Sequence, residues 1–386
     1  MNSTTDNGLR SAEKSPLRVL VVPASYFDRD RTVGGGERYA LEYARALAGL
    51  PDVLVTLALF GLEAGVKMDG QLTVRTFGVS GFDERRAFPL TRPTWKAFAD
   101  YDVIHMMVFP TPLADLMALA TRWRGQKLVL TDVGGGGTCW SGYLQKLHRR
   151  LNLNRLADGL ALLSHYSAGF YTDWRQPKTV LHGGADLETF RPTASLPEGY
   201  ALCVGRLLRH KGILEVIQSI GSETPLHVVG RPYDAVYVDD MKRAATGKRV
   251  SFFFEADDSE LRRQYAGANV VLQASLPSKP GYEDKSELLG LVAIEAMASG
   301  KPVIVTRTTS LPELVVDGVT GYIVEPGDAA TLRRRIEGMI AQPDLSVQLG
   351  RQARAHVEKN LTWSQTARRG LEFYESIGAA PKGRPS

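Results

Sequence analysis

Two acidic residues frame a glycine in the stretch Glu287-Leu288-Leu289-Gly290-Leu291-Val292-Ala293-Ile294-Glu295. The adjoining run, Ala296-Met297-Ala298-Ser299-Gly300-Lys301-Pro302-Val303-Ile304-Val305, reads as the end of a short apolar helix, a glycine stop and a buried β-branched strand. Glu295 therefore lies inside an apolar helix, where a carboxylate is costly unless something hydrogen-bonds to it. On one continuous helix the two carboxylates would point about 80° apart. The pattern predicts instead Glu287 on the preceding loop, Gly290 at the helix N-terminus and Glu295 one or two turns in. Bare N–H groups at that terminus favour an anion. A phosphate flanked by sugar hydroxyls satisfies all three features, and so does a capped core helix carrying a stray acid.

Other candidates sit where strands are expected to end. Val204-Gly205-Arg206, then Lys211-Gly212, places cations after a strand: Arg206 can grip a phosphate bidentately and Lys211 adds a point charge. A solvated basic turn is the plainer reading. Gly34-Gly35-Gly36 before a long helix leaves N–H groups free for a ligand, yet it is neither a Walker loop nor a strict dinucleotide fingerprint. Asp132, just before Val133, Gly134 and Gly135, suits a general base beside substrate-facing backbone, or equally a turn. His105 is an acceptor-side candidate or a satisfied structural histidine. Asp28-Arg29-Asp30 is discounted as a metal site, and no metal is expected. The segment 143–160 alternates leucines with Lys146, Arg149, Arg150 and Arg155, a pattern compatible with peripheral membrane contact or with packing on its own domain.

Strands at 17–22, 53–60, 72–77, 103–106, 127–131, 160–163 and 178–181 alternate with helical patterns. After the turn-rich stretch 191–199 the alternation restarts at 200–204, 226–229, 250–254, 270–273, 302–305 and 322–324. The fold class is α/β, with two doubly wound domains in tandem and ligands expected at the strand C-termini. The expected divisions are a polar tail to 16, a first domain over 17–192, a second over 193–361, a helix over 362–378 and a tail over 379–386. A chain of 386 residues has room for both cores, and its 44% hydrophobic content is that of an ordinary globular protein. No apolar run is long enough to span a bilayer, and no signal-peptide core is seen at the N-terminus. Two cysteines build no disulfide framework, so a cytoplasmic setting, at the inner membrane face where contact occurs, is expected. The net charge of +5 admits anionic substrates without specifying them, and no aromatic-basic platform points to nucleic acid.

Taken together, the motifs resemble the retaining nucleotide-sugar glycosyltransferases of family 4, which have the GT-B fold. The resemblance runs from about Leu17 to Tyr374. It rests on Glu287 through Pro302, on Val204-Gly205-Arg206 with Lys211-Gly212, on Gly183-Gly184-Ala185-Asp186 with Phe190-Arg191-Pro192, and on Leu311-Pro312-Glu313. It implies that Glu287 holds donor-sugar hydroxyls and that Gly290 and Leu291 offer N–H groups to the diphosphate. It also implies that Arg206 and Lys211 neutralise the leaving group, that Glu295 binds ribose, that Gly35 and Gly36 cover the phosphates, and that the base lies near Phe254 to Ala256. The implied partners are a nucleotide-diphosphate sugar and a carbohydrate or lipid-linked acceptor, in polysaccharide or glycolipid assembly, with no cofactor. Two departures stand on the acceptor side: Val133 and Met107 occupy positions where many members carry histidines. A catalytically silent partner subunit and a GT-B nucleotide-sugar epimerase are the alternatives.

Overall fold

In this computed structural model the described residues are 15–23, 35–61, 63–78, 92–107, 112–133, 153–193, 196–277 and 287–381. Strand β1 (Leu17–Val22) is apolar nearly throughout and sits inside the first sheet between β2 (Val53–Gly61) and β5 (Val103–Met106), parallel to both. That sheet continues through β3 (Gly65–Asp69), β4 (Leu72–Gly78), β6 (Lys127–Thr131), β7 (Gly159–Leu162) and β8 (Lys178–Val180), in the order β3-β4-β2-β1-β5-β6-β7-β8. Continuous apolar runs such as those of β1 and β5 suit strands covered on both faces by helices.

The second sheet holds β9 (Tyr200–Val204), β10 (Leu226–Val229), β11 (Val250–Phe253), β12 (Ala268–Gln273), β13 (Val303–Thr306) and β14 (Gly321–Val324). Its order, β11-β10-β9-β12-β13-β14, is all parallel and reverses direction beside β9. The turn after β9 therefore opens at a topological switch point, where such sheets bind ligands.

The expected strands are all present, with ends shifted by a residue or two. One element departs from expectation. β3 pairs antiparallel with β4 at the sheet edge, and its side chains are exposed, Val66 and Met68 among them. A strand that buries neither face carries no apolar periodicity to read.

The helix Trp363–Ser376 returns to the first domain. It opens with a reciprocal capping box between Thr362 and Gln365. Its buried face brings Trp363 edge-on to Tyr39 and joins the Tyr374 and Tyr43 hydroxyls at 2.8 Å. One apolar cluster runs from the opening helix Gly35–Ala48 through this returning helix into the helix Leu291–Ala298 of the second domain. Each fully buried large side chain in it contributes about 2 kcal/mol, so the domains share a packed seam.

Candidate functional site

The helix Leu291–Ala298 is apolar except for Glu295, which explains why it is buried almost all round. Its N-cap is Gly290, at φ 59° in the left-handed region. A Cβ there would stand 2.3 Å from a Leu314 methyl, so both backbone conformation and packing demand glycine. Glu287 sits on the loop before it, as expected. Its carboxylate accepts from the Gly290 N–H at 3.1 Å and pairs with Lys211. The Ser310 hydroxyl donates to the Glu287 carbonyl at 2.9 Å and fixes the loop from below. Burial pushes the Glu287 carboxyl upward, but the Lys211 charge and its hydrogen bond, the Gly290 N–H and Gln273 outweigh it and hold the group below the usual range.

Lys211 reaches Glu287 from the turn after β9. That turn ends at Gly212, φ 67°, packed so tightly that a Cβ would meet the Ala274 carbonyl oxygen at 1.9 Å. Arg206 lies on the same turn with an exposed guanidinium, 5.9 Å from the Tyr233 ring centroid. From the other side of the cleft, the opening helix presents Gly35 and Gly36. A Cβ on Gly35 would lie 3.4 Å from Leu289, and one on Gly36 would lie 3.4 Å from Val133. The glycine-opened helix N-termini of the two domains thus approach each other beside the Lys211–Glu287 pair.

Glu295 has partners that no motif announces. Arg38, one turn into the opening helix, pairs with it at 3.0 Å across the domain seam, and the Tyr265 hydroxyl donates to it at 3.3 Å. Even so, burial dominates and raises the carboxyl to about 7 against the lowering pull of Arg38 and Tyr265. The chain shows a cation two residues after the glycine run, but nothing in it joins that cation to Glu295.

Three expected positions need correction. Phe254 turns away from the cleft, stacking on Phe252 at 5.5 Å with Lys242 over its ring. Successive strand residues face opposite sides, so Phe253 and Ala256 are the ones that line an open pocket of about 460 Å³, with Glu255, Asp257 and Arg263. His105 is fully buried. Its Nδ1 meets the Tyr374 hydroxyl and its Nε2 the Thr131 hydroxyl, each at 2.7 Å, and burial lowers it to about 3. It is a neutral core histidine and offers no nitrogen to an acceptor. Asp132 is buried and accepts from the Tyr171 hydroxyl at 2.5 Å, which ties it to its own domain and leaves it no opening to the cleft as a base. Gly134, Gly135, Asp28, Asp30 and the basic residues Lys146, Arg149 and Arg150 lie outside the described residues. Among the described residues, no helix is long and apolar enough to cross a membrane.

Residues 187–356, which contain Arg206, Lys211, Glu287 and Glu295, match the family described as glycosyl transferases group 1. The chain is similar to Sulfoquinovosyl transferase SQD2 of Arabidopsis thaliana, 29% identical over 159 residues that make up 40% of this chain and 29% of that one. It is also similar to a D-inositol 3-phosphate glycosyltransferase of Arthrobacter sp., 29% identical over 249 residues, 59% of this chain and 55% of the relative. The matched stretch thus spans about half or less of those relatives' lengths. Among solved structures it resembles Anabaena Alr3699/HepE in complex with UDP and glucose, with a TM-score of 0.68 at 20% identity, covering 93% of this chain and 100% of that one. The fold is GT-B, and the matched stretch falls on the second of its two α/β domains.

Proposed function

We propose that the protein is a retaining hexosyltransferase that moves a sugar from a nucleotide-diphosphate donor to an acceptor hydroxyl. The observation that carries this reading is the meeting of Lys211, Glu287 and the Gly290 helix N-terminus, with Arg206 on the same turn as Lys211, on one side of a cleft whose other side is Gly35 and Gly36. Fixed cations and helix-terminal N–H groups of this kind stabilise charge that develops on a departing phosphate. The bond from the sugar's anomeric carbon to the phosphate oxygen breaks, the acceptor oxygen bonds to the same carbon on the same face, and the departing diphosphate takes the acceptor's proton. No protein base is needed for that step, which agrees with the sealed positions of His105 and Asp132.

In this reading Glu287 orients the donor sugar, Gly290 and Leu291 bind the diphosphate, and Glu295 meets the ribose after exchanging Arg38 for the diol. The base enters the pocket at Phe253 and Ala256. A nucleotide-sugar donor is supported by the UDP bound in the Anabaena structure, and sugar-transfer names recur among the relatives. A carbohydrate or lipid-linked acceptor, in polysaccharide or glycolipid assembly, is the acceptor class proposed. Purified protein incubated with a panel of nucleotide sugars, with and without lipid-linked acceptors, tests this. Acceptor-dependent release of a nucleoside diphosphate with retained anomeric configuration is the expected result. Donor binding without transfer to any acceptor would favour the silent partner subunit instead.

A further inference from the structure

A second cluster lies at the edge of the first sheet, away from the phosphate-facing groups. His165 comes after β7, His182 after β8, and Glu313 reaches them from the second domain. One imidazole nitrogen from each histidine and a Glu313 carboxylate oxygen all lie within 4.8 Å of one another. The two rings stand 5.7 Å apart, tilted by 60°.

The carboxylate is held rigidly. Its Oε2 accepts from the His165 backbone N–H at 2.8 Å and its Oε1 from the Tyr166 N–H at 2.6 Å. A carboxylate has about four lone-pair sites, so both oxygens keep capacity for a further ligand. Capping that short helical turn accounts for the two N–H bonds. It does not account for two imidazoles converging on the same carboxylate. His182 is held below its ordinary range by burial, against an upward pull from Glu313 and the Leu163 backbone, with His165 and Arg369 also lowering it. His165 is exposed and His182 partly so, and both line an open cavity of about 580 Å³ through which an ion can enter.

We propose that His165, His182 and Glu313 bind a zinc ion that links the two domains. Two imidazoles and a carboxylate are a borderline-soft N₂O donor set suited to Zn²⁺, with water in the fourth position. Bonds of about 2.1 Å place tetrahedral ligands roughly 3.4 Å apart, so the exposed His165 ring must rotate inward to close the site. Lys178 and Arg369 line the same cavity and oppose a dication, which sets the expected affinity at micromolar rather than tighter. No spacing along the chain announces the site, because its ligands come from two domains. The proposal does not depend on the transfer reaction.

Calorimetric titration of the full chain with zinc chloride at about pH 7.5, where free histidines are neutral, tests it. The expected result is one micromolar site, weakened about tenfold or more in His165→Ala, His182→Gln and Glu313→Gln. Cobalt should give the intense visible absorption of a tetrahedral centre in the native chain and lose it in His182→Gln. Circular dichroism on each variant checks the fold. Absence of zinc binding to the native chain, or unchanged affinity in both histidine variants, overturns the proposal. Normal affinity in Glu313→Gln alone also overturns it, since the ion would then not join the domains.

Discussion

Glu287 and Glu295 belong to one loop and helix, are both buried, and are displaced in opposite directions. Glu287 is surrounded by donors from its own domain: Lys211, the Gly290 N–H and Gln273. Glu295 relies on Arg38 from the other domain and on a long bond from Tyr265. The first carboxylate is held below the usual range and the second rises to about 7. Burial acts alike on both; what differs is how many donors each carboxylate's own domain supplies. A carboxylate held within one domain suits a fixed role beside the reacting carbon. One completed across a seam is available to exchange a protein cation for a ligand's hydroxyls.

The largest expected effects come from the cations. Arg206→Ala and Lys211→Ala should each lower turnover by about two to three orders of magnitude, measured as steady-state diphosphate release. They should separate in denaturant melts. Arg206 is exposed and its loss should leave stability nearly unchanged, whereas Lys211→Ala strands the buried Glu287 and should cost about 3 kcal/mol. Equal stability of the two variants would show that the Glu287 pair is not what the geometry implies.

Next come the carboxylates themselves. Glu287→Gln should lower kcat by about a hundredfold with little change in KM, because it acts where charge develops. Glu295→Gln should leave kcat nearly intact and weaken nucleoside diphosphate binding by about tenfold, an interaction shared by ground and transition states. Calorimetry with the diphosphate distinguishes them, and normal binding by Glu295→Gln would remove the ribose role.

A smaller effect concerns stability against pH. Below about pH 4.5 Glu295 is neutral in both folded and unfolded chains. Between there and about 7 the unfolded chain has released a proton that the folded chain keeps, so native stability falls as pH rises through that window. Glu295→Gln lacks this loss, and its advantage over the native chain should grow to about 3 kcal/mol by pH 8. Glu287 has the reverse sign: its contribution is present above the usual carboxylate pKa and is lost as pH falls through its depressed value. Melts of the native chain and both variants from about pH 4 to about pH 8 should therefore diverge in opposite directions. The smallest expected change is with chelator. Since cations of the protein itself meet both carboxylates, excess EDTA should alter turnover by no more than about twofold, and complete loss restored by magnesium or manganese would contradict the reading.

The strands and the donor-side residues were legible because their signals are local. Apolar runs ending in glycine and a cation mark β9 and its turn, and Gly290 marks the helix start within a few residues of Glu287. Partners contributed by distant segments were not legible. Arg38 and Glu313 act across a seam that no short window of sequence contains, Tyr265 reaches Glu295 from a helix 30 residues away, and β3 buries too little to leave a pattern. Phe254 was misplaced because a strand boundary uncertain by one residue reverses the face a side chain presents. His105 and Asp132 lie at strand ends like the functional residues, and only their hydroxyl partners, Tyr374, Thr131 and Tyr171, reveal that they serve the core.

The returning helix sets an order on biosynthesis. Tyr374 is made 269 residues after His105, yet its hydroxyl is the hydrogen-bond partner of both Tyr43 and His105 inside the first domain. A nascent first domain leaving the ribosome has no such partner and must keep those groups wet. It can form its sheet and the core on one face, but the face that holds Tyr43 and Tyr39 stays open until the second domain has been translated. Domains of most chains fold in turn as they emerge; here the first to emerge is the last to be finished.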